Sequence, residues 1–151
     1  MHRLIPETNI MQKLTLEQAQ ALIAAALARS AEAGYQPMAV AVLDEAGHLK
    51  AFVRQDGASM FRFDVAQAKA WGAVGMGVSS RMLAQRAKDN PNFFVSLAAT
   101  STGRFLPQTG AVVIRDASGA LLGAVGASGG TGDEDEAICM AGVAAVGLVS
   151  A

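Results

Sequence analysis

Residues 121–136 read LLGAVGASGGTGDEDE, an apolar run that gives way to small residues and then to four acids. Leu122, Ala124 and Val125 have the character of the end of a buried strand. Gly126, Ser128, Gly129, Gly130 and Gly132 then remove the side chains that would hold a ligand or a second backbone at a distance. The acids open a helix: Asp133 is suited to cap it, Glu136 stands three positions on as a capping-box partner, and carboxylates in a first turn suit the helix dipole. Strand, glycine loop and capped helix resemble a phosphate cradle in outline. The stretch lacks the Lys-Ser/Thr ending of a P-loop and the G-x-G-x-x-G spacing of a dinucleotide fingerprint. Four carboxylates at a helix start would also repel a phosphate, so nucleotide binding is disfavoured.

Upstream of this stretch, AVVIR (111–115) leads through Asp116-Ala-Ser-Gly119 into residues 120–125. The same device occurs earlier, where MAVAVL (38–43) turns through Asp44-Glu-Ala-Gly47 and returns as HLKAFVR (48–54). Asp and Gly at these offsets are good turn chemistry, and two such hairpins predict a mainly antiparallel sheet. Thr15 with Gln18 forms a capping box ahead of a helix whose apolar residues recur at helical spacing until Gly34. Ser59 is placed to cap a helix from Met60 to about Met76, Gly77 interrupts it, and Ser79 or Ser80 starts a shorter helix that Asn90-Pro91 stops. Phe93, Phe94 and Val95 favour a strand over residues 93–100. A last helix is expected from Asp133 to about Gly147. The predicted order is α-β-β-α-α-β-β-β-α: a single α+β domain over residues 14–151, with about five strands in one mainly antiparallel sheet and helices on its faces, after a tail over residues 1–13.

At 151 residues the chain is long enough to bury a real core as one domain. Hydrophobic residues make up 52% and aromatics only 5%, so the core must be built from Ala, Val, Leu and Met in closely packed elements. Small side chains leave wide flat faces, which another copy of the chain commonly covers; a homo-oligomer is expected. The net charge of −1 is spread without a basic stripe, which disfavours nucleic acid as a partner. Cys139 is alone, so no internal disulfide or Cys-x-x-Cys site exists, and its apolar setting suits a buried small hydrophobe. Residues 1–13 carry no apolar run of signal-peptide length, and the uncharged segment 137–151 is too short and too rich in Ala and Gly to span a bilayer. A cytoplasmic protein without a membrane partner is the expectation.

Candidate chemistry is sparse. His48 directly follows a hairpin turn, where side chains are usually solvated, and is a weak candidate ligand for a metal or heme iron; no histidine–carboxylate cluster predicts a zinc or di-iron site. Arg54, Asp56 and Gly57 stand where a strand ends and a helix begins, a common place for ligand-facing groups, although Asp-Gly also simply shapes turns. Lys69 lies among small residues in AQAKAW, with Arg62 seven positions earlier on the same helix face. Such a lysine either snorkels to solvent or is a buried charge that needs an anion, with Asp56, Asp135 or a ligand carboxylate as the candidates. No G-x-S-x-G elbow accompanies the serines, so nucleophile-and-base catalysis finds no support.

Taken together, AVLDEAGHLKAFVRQDGA, AQAKAW, the Gly110-Ala-Val-Val segment and LLGAVGASGGTGDEDEAICMAGV resemble the GlcG/HbpS-like family of heme-binding and heme-degrading proteins. That family also includes the C-terminal domain of a propanediol-utilisation corrinoid adenosyltransferase. The resemblance covers residues 15–148. It implies an α/β domain with a five-stranded antiparallel sheet, assembled into dimers or larger symmetric oligomers, with heme or another tetrapyrrole as ligand. The positions that match are Arg54, Asp56, Gly57, Lys69, Gly110, Ser128, Gly129, Gly130 and Asp135, which form one polar pocket if the glycine loop folds back beside the helix bearing Lys69. Two places depart from the pattern. The first helix has no histidine, where a histidine is associated with heme ligation in some relatives, and Thr109-Gly110-Ala111-Val112 replaces the commoner G-G-x-P. The expected function is a cytoplasmic, oligomeric small-ligand-binding protein. The alternatives are an enzyme acting on a hydroxy-acid or carbonyl compound, with Lys69 or Arg54 holding a carboxylate and Asp56 or Asp135 moving a proton, and a structural or accessory subunit.

Overall fold

Thr15 opens the first helix, α1 (Leu16–Ala33), with the expected capping box: its hydroxyl accepts the Gln18 N–H at 3.0 Å and the Gln18 side chain accepts the Thr15 N–H at 3.0 Å. Gly34 ends it in the left-handed region, at a φ of 69°. The computed structural model describes residues 12–151, so nearly all of the expected tail lies outside the described residues.

Both hairpins form as their turn residues dictate. Between β1 (Ala39–Asp44) and β2 (Leu49–Arg54), the Asp44 carboxylate accepts the N–H groups of Ala46 and His48. Between β3 (Ala111–Arg115) and β4 (Leu121–Ser128), Asp116 accepts those of Ser118 and Ala120 in the same way. The hairpins join through β1 and β4, which pair antiparallel from Ala39↔Ser128 to Asp44↔Gly123. The result is one antiparallel sheet of four strands in the order β2-β1-β4-β3.

The fifth expected strand is a helix. Residues 93–100 belong to α4 (Pro91–Thr100), which follows α2 (Phe61–Met76) and α3 (Ser80–Asp89). Pro91 sits in the first turn, where its missing N–H costs nothing, and Phe94 is buried against Leu83 and Phe105. Packing at helical spacing thus overrides the strand preference of Phe93 and Val95, both of which point outward. The element order is α-β-β-α-α-α-β-β-α, closing with α5 (Gly132–Ala145). Two caps also differ from expectation. Of the two serines expected to start α3, Ser79 caps it, but α2 has Met60 at its cap position with no side-chain bond rather than Ser59, and α5 is capped by Thr131 rather than Asp133.

The sheet is the middle of three layers. Val40 and Val42 of β1 face α1 and α5 in the larger core cluster, with Val112, Ile114, Val125, Leu22, Ile138 and Val143. Ala39, Ala41 and Leu43 of the same strand face α2. A strand covered on both sides must be apolar throughout, which is why residues 38–43 read as a continuous run. Each fully buried Val or Leu contributes roughly 1.5–3 kcal/mol to holding the layers together. The α2 face is made of small residues, and Gly126 completes the fit. A Cβ there would lie 2.2 Å from the Ala66 carbonyl oxygen, so glycine is what lets α2 rest directly on β4. On the outer edge, β2 leaves Leu49, Phe52 and Val53 partly exposed, and Met60 and Phe61 at the start of α2 are exposed too.

Candidate functional site

Where β4 ends, the chain passes over the side of α2 before entering α5, and a cleft of about 460 Å³ opens between them. Its walls are Arg62, Val65 and Lys69 of α2, Leu106, Gln108 and Thr109 of the segment before β3, and residues from Ser128 into the first turn of α5.

The floor is an ion pair. Lys69 Nζ lies 3.0 Å from Asp135 Oδ2, and their side chains are only 6% and 2% exposed. Lys69 also donates to the Ala127 carbonyl at 3.2 Å, and the Gly130 N–H donates to the other Asp135 oxygen at 2.9 Å. Both carboxylate oxygens are therefore engaged. An ammonium has three protons, so two bonds leave one for the cleft that Lys69 lines. Burial pushes the Asp135 carboxyl above its ordinary value, against the opposing pull of the Lys69 charge, the Gly130 N–H and Arg62. Gly110 is the roof of this pair: its φ is +138°, and a Cβ would stand 2.6 Å from Lys69 Nζ and 3.1 Å from Asp135 Cβ.

Arg62 lies two turns before Lys69 on α2 and donates to the Ser128 hydroxyl at 3.2 Å. Among the described residues it has no carboxylate partner within salt-bridge distance. The acids that argue against an anion at the start of α5 are largely committed elsewhere. Asp135 holds Lys69; Asp133 and Glu136 both hold Arg81 of α3, whose Nε lies 3.1 Å from each Glu136 oxygen. Glu134 accepts the Thr131 N–H at 2.9 Å while Thr131 accepts the Glu134 N–H at 3.2 Å, a capping box two residues earlier than the one expected. The cleft thus presents a guanidinium, one ammonium proton and a helix N-terminus to whatever enters it.

Of the matched sequence positions, Lys69, Ser128, Gly130 and Asp135 line this cleft, Gly110 packs on its floor, and Gly129 lies against Pro37 and Met38 at the start of β1. Arg54, Asp56 and Gly57 stand elsewhere. Arg54 donates to the Ala58 carbonyl at 2.7 Å and, with Asp56, Tyr35 and Pro37, lines a separate open depression. Gly57 forms the adjoining turn against Pro37. His48 sits on the β1–β2 turn with its side chain 82% exposed, at the opposite end of the sheet from Ser128. Cys139 is buried beneath Gly110, its thiol toward that residue's carbonyl, and burial pushes its pKa up. Arg62, Gln108, Thr109 and Thr131 were not selected from the sequence as site residues. For Arg62 the signal was present, in its seven-residue spacing from Lys69; for the others no local signal exists, because only the fold brings them together.

Fold and cleft together define a class: single-domain α+β proteins in which a polar cleft opens between the end of a central strand and the start of the helix that follows it. The chain belongs to the HbpS-like family, described as haem degrading protein HbpS-like, whose model matches residues 14–144. HbpS of Streptomyces reticuli, solved as a double mutant, is 29% identical, with a TM-score of 0.77 over 95% of this chain and 94% of that one. The structure of a PduOC:heme complex is 24% identical, with a TM-score of 0.82 over 92% of this chain and 99% of that one. The Klebsiella pneumoniae protein ORFY is 23% identical, with a TM-score of 0.83 over 96% and 98%. No curated protein sequence matches the chain. The latter two structures share the fold with it. Among the described residues, no helix is long and apolar enough to cross a membrane.

Proposed function

We propose that the chain is a small-ligand-binding protein whose cleft takes a carboxylate-bearing ligand, with heme or another tetrapyrrole as the ligand class. The observation that carries this assignment is the pair of cleft cations, Arg62 without a carboxylate partner among the described residues and Lys69 with a proton to spare. Charge-assisted bonds of this kind contribute about 1.5–3 kcal/mol each, and Arg suits a carboxylate in two-point contact. The ligand class is supported by the family and by the heme bound in the PduOC complex. The residues present fit one part of a heme and not the other. Its acid groups find donors in Arg62 and Lys69, whereas among the described residues no His, Cys, Met or Tyr, the side chains that ordinarily hold heme iron, lines the cleft.

A cytoplasmic homo-oligomer belongs to the same proposal. Its support is the apolar surface that Leu49, Phe52 and Val53 leave on edge strand β2, which in an oligomer would be covered. The alternative of an enzyme that moves a proton through Asp135 or Asp56 has less support, since both oxygens of Asp135 are engaged and Asp56 lines the other depression.

The test is an absorbance titration of the whole chain with hemin, for wild type and Arg62→Gln. Saturable binding is expected, weakened by about tenfold or more in the variant, as the loss of one charged hydrogen bond implies. Absence of saturable binding at micromolar hemin would remove the tetrapyrrole; unchanged affinity in Arg62→Gln would remove this cleft as its site.

A further inference from the structure

We infer that the cleft holds its tetrapyrrole by the acid groups alone, so that an iron-free porphyrin dicarboxylic acid binds as well as the iron form. This rests on the proposed function and specifies what the site recognises. The donors that converge on the cleft are made for oxygen acceptors. Lys69 gives protons to Asp135 and Ala127, so its nitrogen has no lone pair to offer a metal. Asp135 is held by Lys69 and Gly130, and Asp133 by Arg81, which leaves neither carboxylate disengaged for one.

None of the His, Cys, Met or Tyr side chains of the described residues lines the cleft, and for four of them the fold says why. His48 is fixed to the β1–β2 turn beside Asp44, whose strand partner is Gly123, while the cleft begins at Ser128, the partner of Ala39. Five residues of strand separate the two ends, roughly 17 Å at about 3.4 Å per residue. Cys139 and Met38 are fully buried in the larger core cluster. Tyr35 faces the depression shared by Arg54 and Asp56. Among the described residues, iron bound in this cleft would meet hydroxyls, an amide, cations and carboxylates already paired to Lys69 and Arg81, a set that gives it no firm axial bond. The carboxylates of the ring, by contrast, meet a guanidinium and an ammonium proton in a partly desolvated recess, where such bonds are strongest.

The experiment titrates the whole chain with hemin, with protoporphyrin IX and with protoporphyrin IX dimethyl ester, following quenching of Trp71, the one tryptophan. The expected result is equal affinity for hemin and protoporphyrin IX within about threefold, a loss of tenfold or more for the ester, and a parallel weakening of both acids in Arg62→Gln. Hemin binding tenfold or more tighter than the free acid, with a nitrogen-ligated absorption spectrum that disappears in His48→Ala, would overturn the inference and leave the proposed function standing. The ester binding as well as the acid would also overturn it. If none of the three binds, the tetrapyrrole assignment itself falls.

Discussion

Replacing Lys69 by Met exchanges a buried ammonium for an apolar chain of similar length and tests the floor of the cleft directly. Asp135, with its side chain 2% exposed, would keep only the Gly130 N–H as a donor. Removing one partner of a buried pair strands the other charge, which costs about 3–5 kcal/mol. Against a total stability of about 5–15 kcal/mol this is a large share. With a urea slope of about 2 kcal/mol/M, the midpoint of unfolding followed by circular dichroism should fall by about 2 M. The deficit should depend on pH with a defined sign. Burial already raises the Asp135 carboxyl above the ordinary 3.8, and losing the Lys69 charge, which lowers it, raises it further. A raised carboxyl binds a proton in the folded chain that the unfolded chain has released. Its favourable contribution is therefore complete below about 3.8 and is lost as pH rises through the folded value. The Lys69→Met deficit should accordingly shrink toward acid and be fullest near neutrality. A companion variant, Lys69→Met with Asp135→Leu, should recover most of the loss because no charge is orphaned. A neutral-pH deficit under about 1 kcal/mol, or one that does not change with pH, would refute the reasoning. A double variant no better than the single one would place the loss in packing instead.

Gly110→Ala should destabilise the fold by about 1–3 kcal/mol, measured by urea unfolding, since its methyl group would press on Lys69 Nζ in a backbone region that L residues avoid. Thr131→Ala removes the acceptor for the Glu134 N–H at the start of α5 and should cost about 1 kcal/mol, seen as a fall in thermal midpoint of roughly 2–4 °C. Asp133→Ala should leave the cap intact, because Asp133 faces Arg81 rather than the helix end.

The parts of this fold that local chemistry decides were legible in the residues. Asp44 with Gly47 and Asp116 with Gly119 make their turns by hydrogen bonds that stay within five residues, and Thr15 with Gln18 caps α1 within a single turn. Lys69 announced a buried partner because an ammonium among alanines has few other options, and Asp135 was among the three candidates. The misreadings share one physical cause, a distant contact that outweighs a local preference. Phe94 is helical because Leu83 and Phe105 hold it there. Asp133 was expected to cap α5, but Arg81 takes it from another helix and the cap falls to Thr131. Arg54 and Arg62 flank the same loop; the direction of α2 across the sheet is what places Arg62 in the cleft and leaves Arg54 outside it.

The seam between β1 and β4 has a consequence for how the protein comes into being. Each hairpin closes on itself from neighbouring residues, an event of microseconds. Asp44 and Gly123 meet only when all the chain bearing α2, α3 and α4 has been gathered in between, at a loop entropy of roughly 4 kcal/mol beyond the constant for closure. Until then Val40 and Val42 have only β2 beside them and lack their β4 neighbours. Docking of the two hairpins is thus expected to be the slow event in folding. Lys69 comes from the connection between the hairpins and Asp135 from the helix that follows the second one. On that expectation the cleft does not mature after the fold but forms in the same barrier crossing.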